Sequence, residues 1–164
     1  MWALVHQQLY NAGEAMLTGD KELAYKVISR ERRVNAFELK IDSDCEDIIA
    51  LYAPVAIDLR FVLAMYKINT ILERLGDFAE SIARFAGNLP EGEPIDPQLV
   101  KETRVEEMLS ELLSMISLTK EAFEKESSEI ASRIFLKDNL IDEINHNSTA
   151  IIAKYIEEHK GSAL

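Results

Sequence analysis

The fold is decided by one long stretch, PVAIDLRFVLAMYKINTILERLGDFAESIARFAG, residues 54–87. Proline is tolerated in the first turn of an α-helix, so a single helix is predicted from Pro54 to about Gly87. Its apolar side chains recur alternately four and three residues apart, at Phe61, Met65, Ile68, Leu72, Leu75, Ala79, Ile82 and Ala86. This spacing is typical of a long helix that packs lengthwise in a bundle.

Two helices are predicted before this stretch. The first ends near Leu17, and residues 18–20 separate it from the second, with Asp20 as the N-cap. The second helix is predicted from about Lys21 to Tyr52. Its apolar face contains Val34, Phe37, Ile41, Cys45, Ile48 and Tyr52. Helices of this length that pack nearly parallel form an extended bundle.

Two further helices are predicted after a proline-rich linker at residues 90–97. The fourth helix runs to about Glu126, and Ser127 or Ser128 caps a fifth helix that continues to the end of the chain. Glycine and proline are sparse, and the segments between them read as helices, so the fold class is predicted to be all-α, an elongated antiparallel helical bundle.

An internal repeat organises these helices. Residues 22–31 align without a gap with residues 129–138, at an offset of 107 that also matches Asp20 with Ser127. Helices one and two are therefore repeated as helices four and five. We predict a first three-helix bundle at residues 1–89 and a second repeat of two helices at residues 98–164. The counterpart of Pro54 falls at position 161, so a sixth helix is expected to be absent and the chain to be truncated before it.

Composition restricts the partners and the compartment. The 164 residues carry a net charge of −11, which disfavours binding to nucleic acids and to anionic lipid surfaces. Cys45 is the only cysteine and lies between Asp44 and Glu46, which predicts a packed thiol with a raised pKa. No signal peptide is visible, and no apolar stretch reaches the ~20 residues of a membrane helix. We therefore expect a cytoplasmic protein without membrane insertion.

Acidic residues lie beside the predicted apolar faces of three helices. Glu73 and Asp77 are four residues apart, so their carboxylates share one face of the third helix. Glu31 lies on the corresponding flank of the second helix, and Asp138 and Asp142 on that of the fifth. Carboxylates from adjacent helices are suitable ligands for iron, manganese, zinc or magnesium. A solvated acidic flank without metal is the commoner origin of such spacing, and both interpretations stay open.

Two motifs resemble the signature of the PhoU family. Pro54-Val-Ala-Ile-Asp-Leu-Arg60 is similar to the family's PVAxDLR turn, and Glu73-Arg-Leu-Gly-Asp77 to the ERxGD motif of the helix that follows. Residues 31–35 and 137–142 resemble the family's paired-acid motifs. The resemblance implies paired three-helix bundles, metal sites on the acidic motifs, and negative regulation of phosphate uptake and phosphate-responsive signalling. The implied partners are the phosphate ABC transporter ATPase and the phosphate-sensing histidine kinase.

The chain departs from the family pattern at several ligand positions. Asn35 stands where an Asp is usual, and Phe78 and Ser81 stand where the family often has His and Asn. We therefore expect any carboxylate-bound metal site to be incomplete. Asp58, Arg60 and Arg74 are assigned structural or partner-contact roles, with Asp58 and Arg60 bracing the start of the third helix. No catalytic residue is assigned, so the chain is not expected to be an enzyme.

The sequence leaves two alternative functions open and also predicts an oligomeric state. Glu143-Ile-Asn-His146 matches the Glu-x-x-His motif of ferritin-like di-iron carboxylate enzymes, which need a second such motif that this chain lacks. The other alternative is a structural helical adaptor without metal. Because helices four and five each carry an apolar stripe that a sixth helix would cover, we predict a homodimer formed through them.

Overall fold

The computed structural model describes residues 1–90 and 94–159, and within these ranges it contains six α-helices and no strand. The helices are α1 (Trp2–Thr18), α2 (Lys21–Tyr52), α3 (Ala56–Asn88), α4 (Pro97–Thr103), α5 (Val105–Glu124) and α6 (Ser128–Glu158). The all-α helical-bundle prediction is thereby confirmed. The start of a further helix at position 161 lies outside the described residues.

The chain divides into two compact units. The first contains Met1–Met16 and Asp20–Leu89, and therefore most of α1 together with α2 and α3. The second contains Leu17–Gly19 and the chain from Pro90 onward, with α4, α5 and α6.

Local chemistry sets the ends of α2. The Asp20 carboxylate accepts a hydrogen bond from the Leu23 amide at 2.9 Å, so this residue is the N-cap that the sequence predicts. At the other end, Ala53 adopts a left-handed conformation with φ 44° and donates its N–H to the Ile49 carbonyl. Pro54 follows directly and cannot continue the helix, so the chain reverses into α3 within three residues.

In the first unit, α2 and α3 approach each other closely through small side chains. A Cβ built on Gly76 would lie 2.8 Å from Cγ1 of Val34, so a larger residue at this position would force the valine or the helix to shift. Ala79, Ala83 and Ala86 continue the buried face of α3 toward its C-terminus. On α1, the fully buried Gln8 donates a hydrogen bond from Nε2 to the Val27 carbonyl at 2.8 Å, which joins α1 to α2.

The buried face of α3 differs from the predicted one. The buried positions are Val62, Asn69, Leu72, Gly76, Ala79, Ala83 and Ala86, so several of them lie one residue beyond the large apolar residues of the prediction. Leu75 and Ile82 are only half-buried, and Phe61 is exposed. On α2, Val34 and Cys45 are buried as expected, whereas the predicted core residues Phe37, Ile48 and Tyr52 are exposed. The close helix approach favours small residues at its centre and leaves larger ones at its margin.

In the second unit, the predicted fourth helix is broken. Arg104 has φ 53°, a left-handed conformation, and it separates α4 from α5. The break allows α4 to lie against the C-terminal half of α6. There the Ser148 hydroxyl donates to the Thr103 carbonyl at 3.0 Å, and the Tyr155 hydroxyl donates to the Asp96 carboxylate at 2.8 Å.

Candidate acidic site between α2 and α3

The structure brings three predicted site residues together in the first unit. Glu31 of α2 lies near Asp77 of α3, and Glu73 lies near both of them. Glu38 and Glu80 complete a set that we call the carboxylate cluster: Glu31, Glu38, Glu73, Asp77 and Glu80. The cluster lies beside the close approach of Gly76 to Val34, since Gly76 directly precedes Asp77.

The members of the cluster repel one another electrostatically. Partial burial raises the pKa of Glu31, and the charges of Glu80 and Asp77 raise it further. The Asn35 side chain and the Arg84 guanidinium act in the opposite direction on this pKa. Arg84 also forms an ion pair with Glu80 at 2.6 Å, so one cation partly compensates the negative charge.

Glu73 has the same electrostatic environment on α3. Burial raises the pKa of Glu73, followed by the charges of Asp77 and Glu38, the side-chain hydrogen bond with Asp77, and the charge of Glu31. A raised pKa means that the ionised form is disfavoured, and that bound protons or cations stabilise this part of the molecule.

Three buried side-chain oxygens in and beside the cluster accept no hydrogen bond in the described part of the chain. Among the described residues, Oε1 of Glu31, Oδ1 of Asn35 and Oδ1 of Asn69 are buried without a hydrogen-bond partner. Asn69 is only 2% exposed, and its Nδ2 donates to Asp42 Oδ1 at 2.7 Å and to the Glu38 carbonyl at 2.9 Å. Asn69 is not among the predicted core residues, because it lies one position beyond the apolar Ile68 that the spacing selects.

The donor atoms suit a cation in kind but do not form a complete metal site. Carboxylate and amide oxygens are the ligands that hard cations prefer. The unpaired oxygens of Glu31 and Asn35 are of these two kinds. Within residues 1–90 and 94–159, however, no three His, Cys, Asp or Glu side chains converge closely enough to hold one metal ion. The cluster therefore provides negative potential and a few donors rather than a closed coordination shell.

The second acidic pair lies in the second unit. Asp138 and Asp142 are both exposed on α6, at the repeat positions of Glu31 and Asn35. The described part of this unit contains no counterpart of α3.

The three remaining predicted residues are exposed on α3. Asp58 lies in the first turn, and its backbone N–H donates to the Val55 carbonyl at 3.2 Å. The N-cap Val55 has no side-chain capping bond, and among the described residues the side chains of Asp58 and Arg60 form no hydrogen bond or ion pair. The bracing role expected for them is therefore not observed. An acidic residue in the first turn still interacts favourably with the helix N-terminus. Arg74 is exposed next to Glu73.

Two other sequence features are explained by their surroundings. Cys45 is buried, and burial raises its pKa with smaller contributions from Asp42 and Asp44, as expected for a packed thiol. In the Glu-x-x-His motif, Glu143 forms an ion pair with Arg104 at 3.0 Å, and His146 is exposed. This surface ion pair uses the carboxylate that a di-iron site would need.

No helix in the described ranges has the length and apolar character needed to cross a membrane.

Known proteins are similar to this chain in sequence and in architecture. The family model of the PhoU domain matches residues 1–86. The chain is 34% identical to the phosphate-specific transport system accessory protein PhoU homolog of Aquifex aeolicus (strain VF5), over 96% of this chain and 70% of that protein. It is 35% identical to the phosphate-specific transport system accessory protein PhoU of Escherichia coli (strain K12), over 87% of this chain and 58% of that protein.

The structural comparison agrees. The crystal structure of PhoU from Pseudomonas aeruginosa matches with a TM-score of 0.89 and 28% sequence identity, covering 98% of this chain and 75% of that one. The relatives named here are accessory proteins of phosphate-specific transport systems, and the chain belongs to the PhoU family. It spans between 58% and 70% of the length of these two curated relatives.

Proposed function

We propose that this protein is a cytoplasmic negative regulator of phosphate uptake and of phosphate-responsive signalling. The observation that carries the proposal is membership of the PhoU family, whose curated relatives are named accessory proteins of phosphate-specific transport systems. The phosphate ABC transporter ATPase and the phosphate-sensing histidine kinase are the proposed partners.

The surface of the first unit favours action by contact rather than by catalysis. Large apolar side chains are exposed along the outer halves of α2 and α3, including Leu39, Leu51, Tyr52, Val55 and Ile57. Exposed apolar surface of this extent marks protein-interaction sites in soluble proteins. Glu31 and Glu73, whose pKa values are raised, lie on a helix flank and are assigned to cation binding, not to proton transfer.

A complementation experiment tests the regulatory role. The chain is expressed in a bacterial strain that lacks its own PhoU-family gene and carries a reporter gene repressed by phosphate. We expect the reporter to stay repressed at high phosphate when the chain is present and to be active with the empty vector. A direct pull-down with the purified transporter ATPase then tests the contact. An active reporter despite normal expression of folded protein would refute the proposal.

We also propose that the carboxylate cluster binds a divalent or ferric cation weakly, through Glu31, Glu73 and Asp77. The unpaired buried oxygens of Glu31 and Asn35 and the raised pKa values of the two glutamates support this. Elemental analysis of protein purified without a metal-affinity tag should give iron, manganese, zinc and nickel well below one per chain. A stoichiometric metal content that survives dialysis would show that the donor set is more complete than proposed.

A further inference from the structure

α3 carries a second row of apolar side chains, on the face that points away from α2. The row repeats every seven residues, and we call it the outer row: Ile57, Ala64, Ile71, Phe78 and Phe85. Gly76 marks the side of α3 that contacts α2, and Ile71, Phe78 and Phe85 lie about 140–180° around the helix from it. These three side chains are 52%, 55% and 53% exposed. The outer row is thus a separate apolar face of α3, about 42 Å long.

The outer row stays exposed where all three helices of the first unit are present. Its part at residues 71–85 lies in that segment, because Gly76 of α3 approaches Val34 of α2 there. Gln8 of α1 donates to the Val27 carbonyl, two turns earlier on the same α2. With both neighbouring helices in place, the side chains of this part are still more than half exposed. The outer row is therefore not the surface through which α3 packs on α1 or α2.

The spacing of the outer row is that of a coiled-coil seam. Such a seam alternates between a and d positions of a heptad, three and four residues apart. With the outer row at d, the a positions between its last four members are Ile68, Leu75 and Ile82, which are half-buried. A repeat of seven residues drifts by about 20° per heptad on a straight helix, so a helix that follows it wraps left-handedly around α3. The seam therefore fits a helix that has its own apolar a and d positions.

Basic side chains line one flank of this seam. Arg60, Lys67 and Arg74 each follow a member of the outer row by three residues, which places them at the g positions of the heptads. All three are exposed, and within residues 1–90 and 94–159 none of them forms an ion pair. The whole chain has a net charge of −11, so this basic flank reverses the overall charge locally. Charges at g positions select the partner of a coiled coil by pairing with opposite charges.

Neither a second α3 nor an anionic bilayer complements the basic flank. In an antiparallel pair of α3 helices, g positions face g positions, and the two basic flanks repel each other. In a parallel pair, g positions face the e positions Met65, Leu72 and Ala79, which offer no carboxylate. An anionic bilayer would be repelled by the net charge of the chain and by Glu73 and Asp77 on the same helix. The complementary occupant is a helix of another protein with carboxylates beside its apolar seam.

We propose that the outer row of α3 and its basic flank dock an acidic amphipathic helix of a partner protein. Apolar side chains of that helix pack on the outer row, and its glutamate or aspartate side chains pair with Arg60, Lys67 and Arg74. This mode of recognition uses an apolar helix face for affinity and flanking charges for partner choice. The inference rests on the proposed function in that it assumes action by protein contact, and it adds the surface and the chemistry of the partner.

A pair of synthetic peptides tests the seam directly. The probe is a fluorescein-labelled peptide of four heptads with leucine at a and d and glutamate at e and g. The second peptide has lysine in place of every glutamate. Binding of each peptide to the full chain is measured by fluorescence anisotropy at low salt. We expect the glutamate peptide to bind at least about tenfold more tightly. Since the chain is acidic, unspecific attraction would favour the lysine peptide, so the expected preference isolates the basic flank.

Matched variants separate the apolar row from the basic flank. Phe78→Ala should weaken binding of the glutamate peptide about tenfold or more, as for an aromatic interface anchor. Phe135→Ala, which changes an exposed phenylalanine of α6, should weaken it less than about twofold. Arg74→Glu should weaken it more than Arg32→Glu, which reverses an exposed charge on α2. The difference between the two arginine variants should shrink as salt is raised.

Several results would overturn the inference. They are the absence of saturable binding of the glutamate peptide, binding of the lysine peptide that is equal or tighter, and equal binding by Phe78→Ala and Phe135→Ala. If Phe78→Ala fails to fold, Ile71→Ala replaces it, because this side chain belongs to the same row and is also half exposed.

Two further results would assign the surface to another occupant. The first is a wild-type dimer that Phe78→Ala dissociates, since a second copy would then cover the row. The second is cosedimentation with vesicles of phosphatidylglycerol and phosphatidylcholine that Arg74→Glu abolishes, since a lipid surface would then be the occupant. Because the peptide assay needs no transporter, its failure is distinguishable from a failure of the complementation experiment.

Discussion

Replacing Gly76 by alanine tests whether the close approach of α2 and α3 organises the first unit. Alanine in a helix interior is favoured over glycine by about 1 kcal/mol. Here the new Cβ would lie 2.8 Å from Cγ1 of Val34, which is fully buried on a stiff β-branched side chain. Overpacking of this kind costs about 1–3 kcal/mol. We therefore expect a net loss of about 1 kcal/mol, or about 2–4 °C in Tm.

The sign of this effect should depend on Val34. In a Val34→Ala background both γ-carbons are gone, and the nearest remaining atom is the Cβ of residue 34, at 3.5 Å from the new methyl group. That distance is an ordinary van der Waals contact, so the helix propensity of alanine acts unopposed. Gly76→Ala should then stabilise by about 1 kcal/mol. The difference between the two backgrounds is a coupling energy of about 2 kcal/mol.

Urea unfolding followed by circular dichroism measures all four proteins of this cycle. Gly87→Ala is the matched control, because its Cβ would meet only Ala24 and Tyr25 side-chain atoms at 4.0 Å. Gly87 lies one residue before the end of α3, so alanine there should be neutral or slightly stabilising. The reasoning is refuted if Gly76→Ala stabilises the wild type as much as Gly87→Ala does, or if its effect is the same with and without Val34.

Three further predictions concern charge and assembly. Since the raised pKa of Glu73 makes its ionised form destabilising, stability should fall as pH rises through that pKa, and Glu73→Gln should raise Tm at pH 7 more than the exposed Glu46→Gln does. The backbone of Gln98 and the hydroxyl of Tyr155 lower the pKa of Asp96, so Tyr155→Phe should reduce stability at pH 7 and lose this effect as pH falls through that lowered pKa. Light scattering should give a dimer that Ile152→Glu on α6 dissociates, and a wild-type monomer at micromolar concentration would contradict this.

Sequence periodicity predicted the helices better than the faces they bury. The bounds of α2 followed from Asp20 and Pro54, which act locally, and the all-α class followed from the apolar spacing. The buried face of α3 lies about one residue beyond the predicted face at several positions, because small residues fill the contact with α2 and larger apolar residues lie at its margin. Apolar periodicity does not predict the burial of Gly76 or of Asn69. Gly76 is buried where it approaches Val34 closely, and Asn69 is buried where its side chain donates hydrogen bonds to α2.

The sequence pattern also does not predict the helix break at Arg104. Neither glycine nor proline occurs at this position, and the flanking residues have helical spacing. In the structure, the left-handed Arg104 is accompanied by ion pairs to Glu107 at 2.7 Å and to Glu143 of α6 at 3.0 Å. Contacts between helices therefore accompany a conformation that local propensity disfavours.

Close packing and acidity occupy the same segment of the hairpin, which predicts that they are coupled. Gly76 brings α2 and α3 together within the carboxylate cluster, so a tighter approach strengthens the repulsion among Glu31, Glu73 and Asp77. A cation that shields this repulsion should stabilise the first unit, and millimolar manganese should therefore raise the Tm of the wild type. The increase should be smaller in Glu73→Gln, which removes a donor, and also in Gly76→Ala, which separates the helices without removing any charge. An equal increase in all three proteins would mean that the ion acts elsewhere, and the cluster would then be a solvated acidic flank.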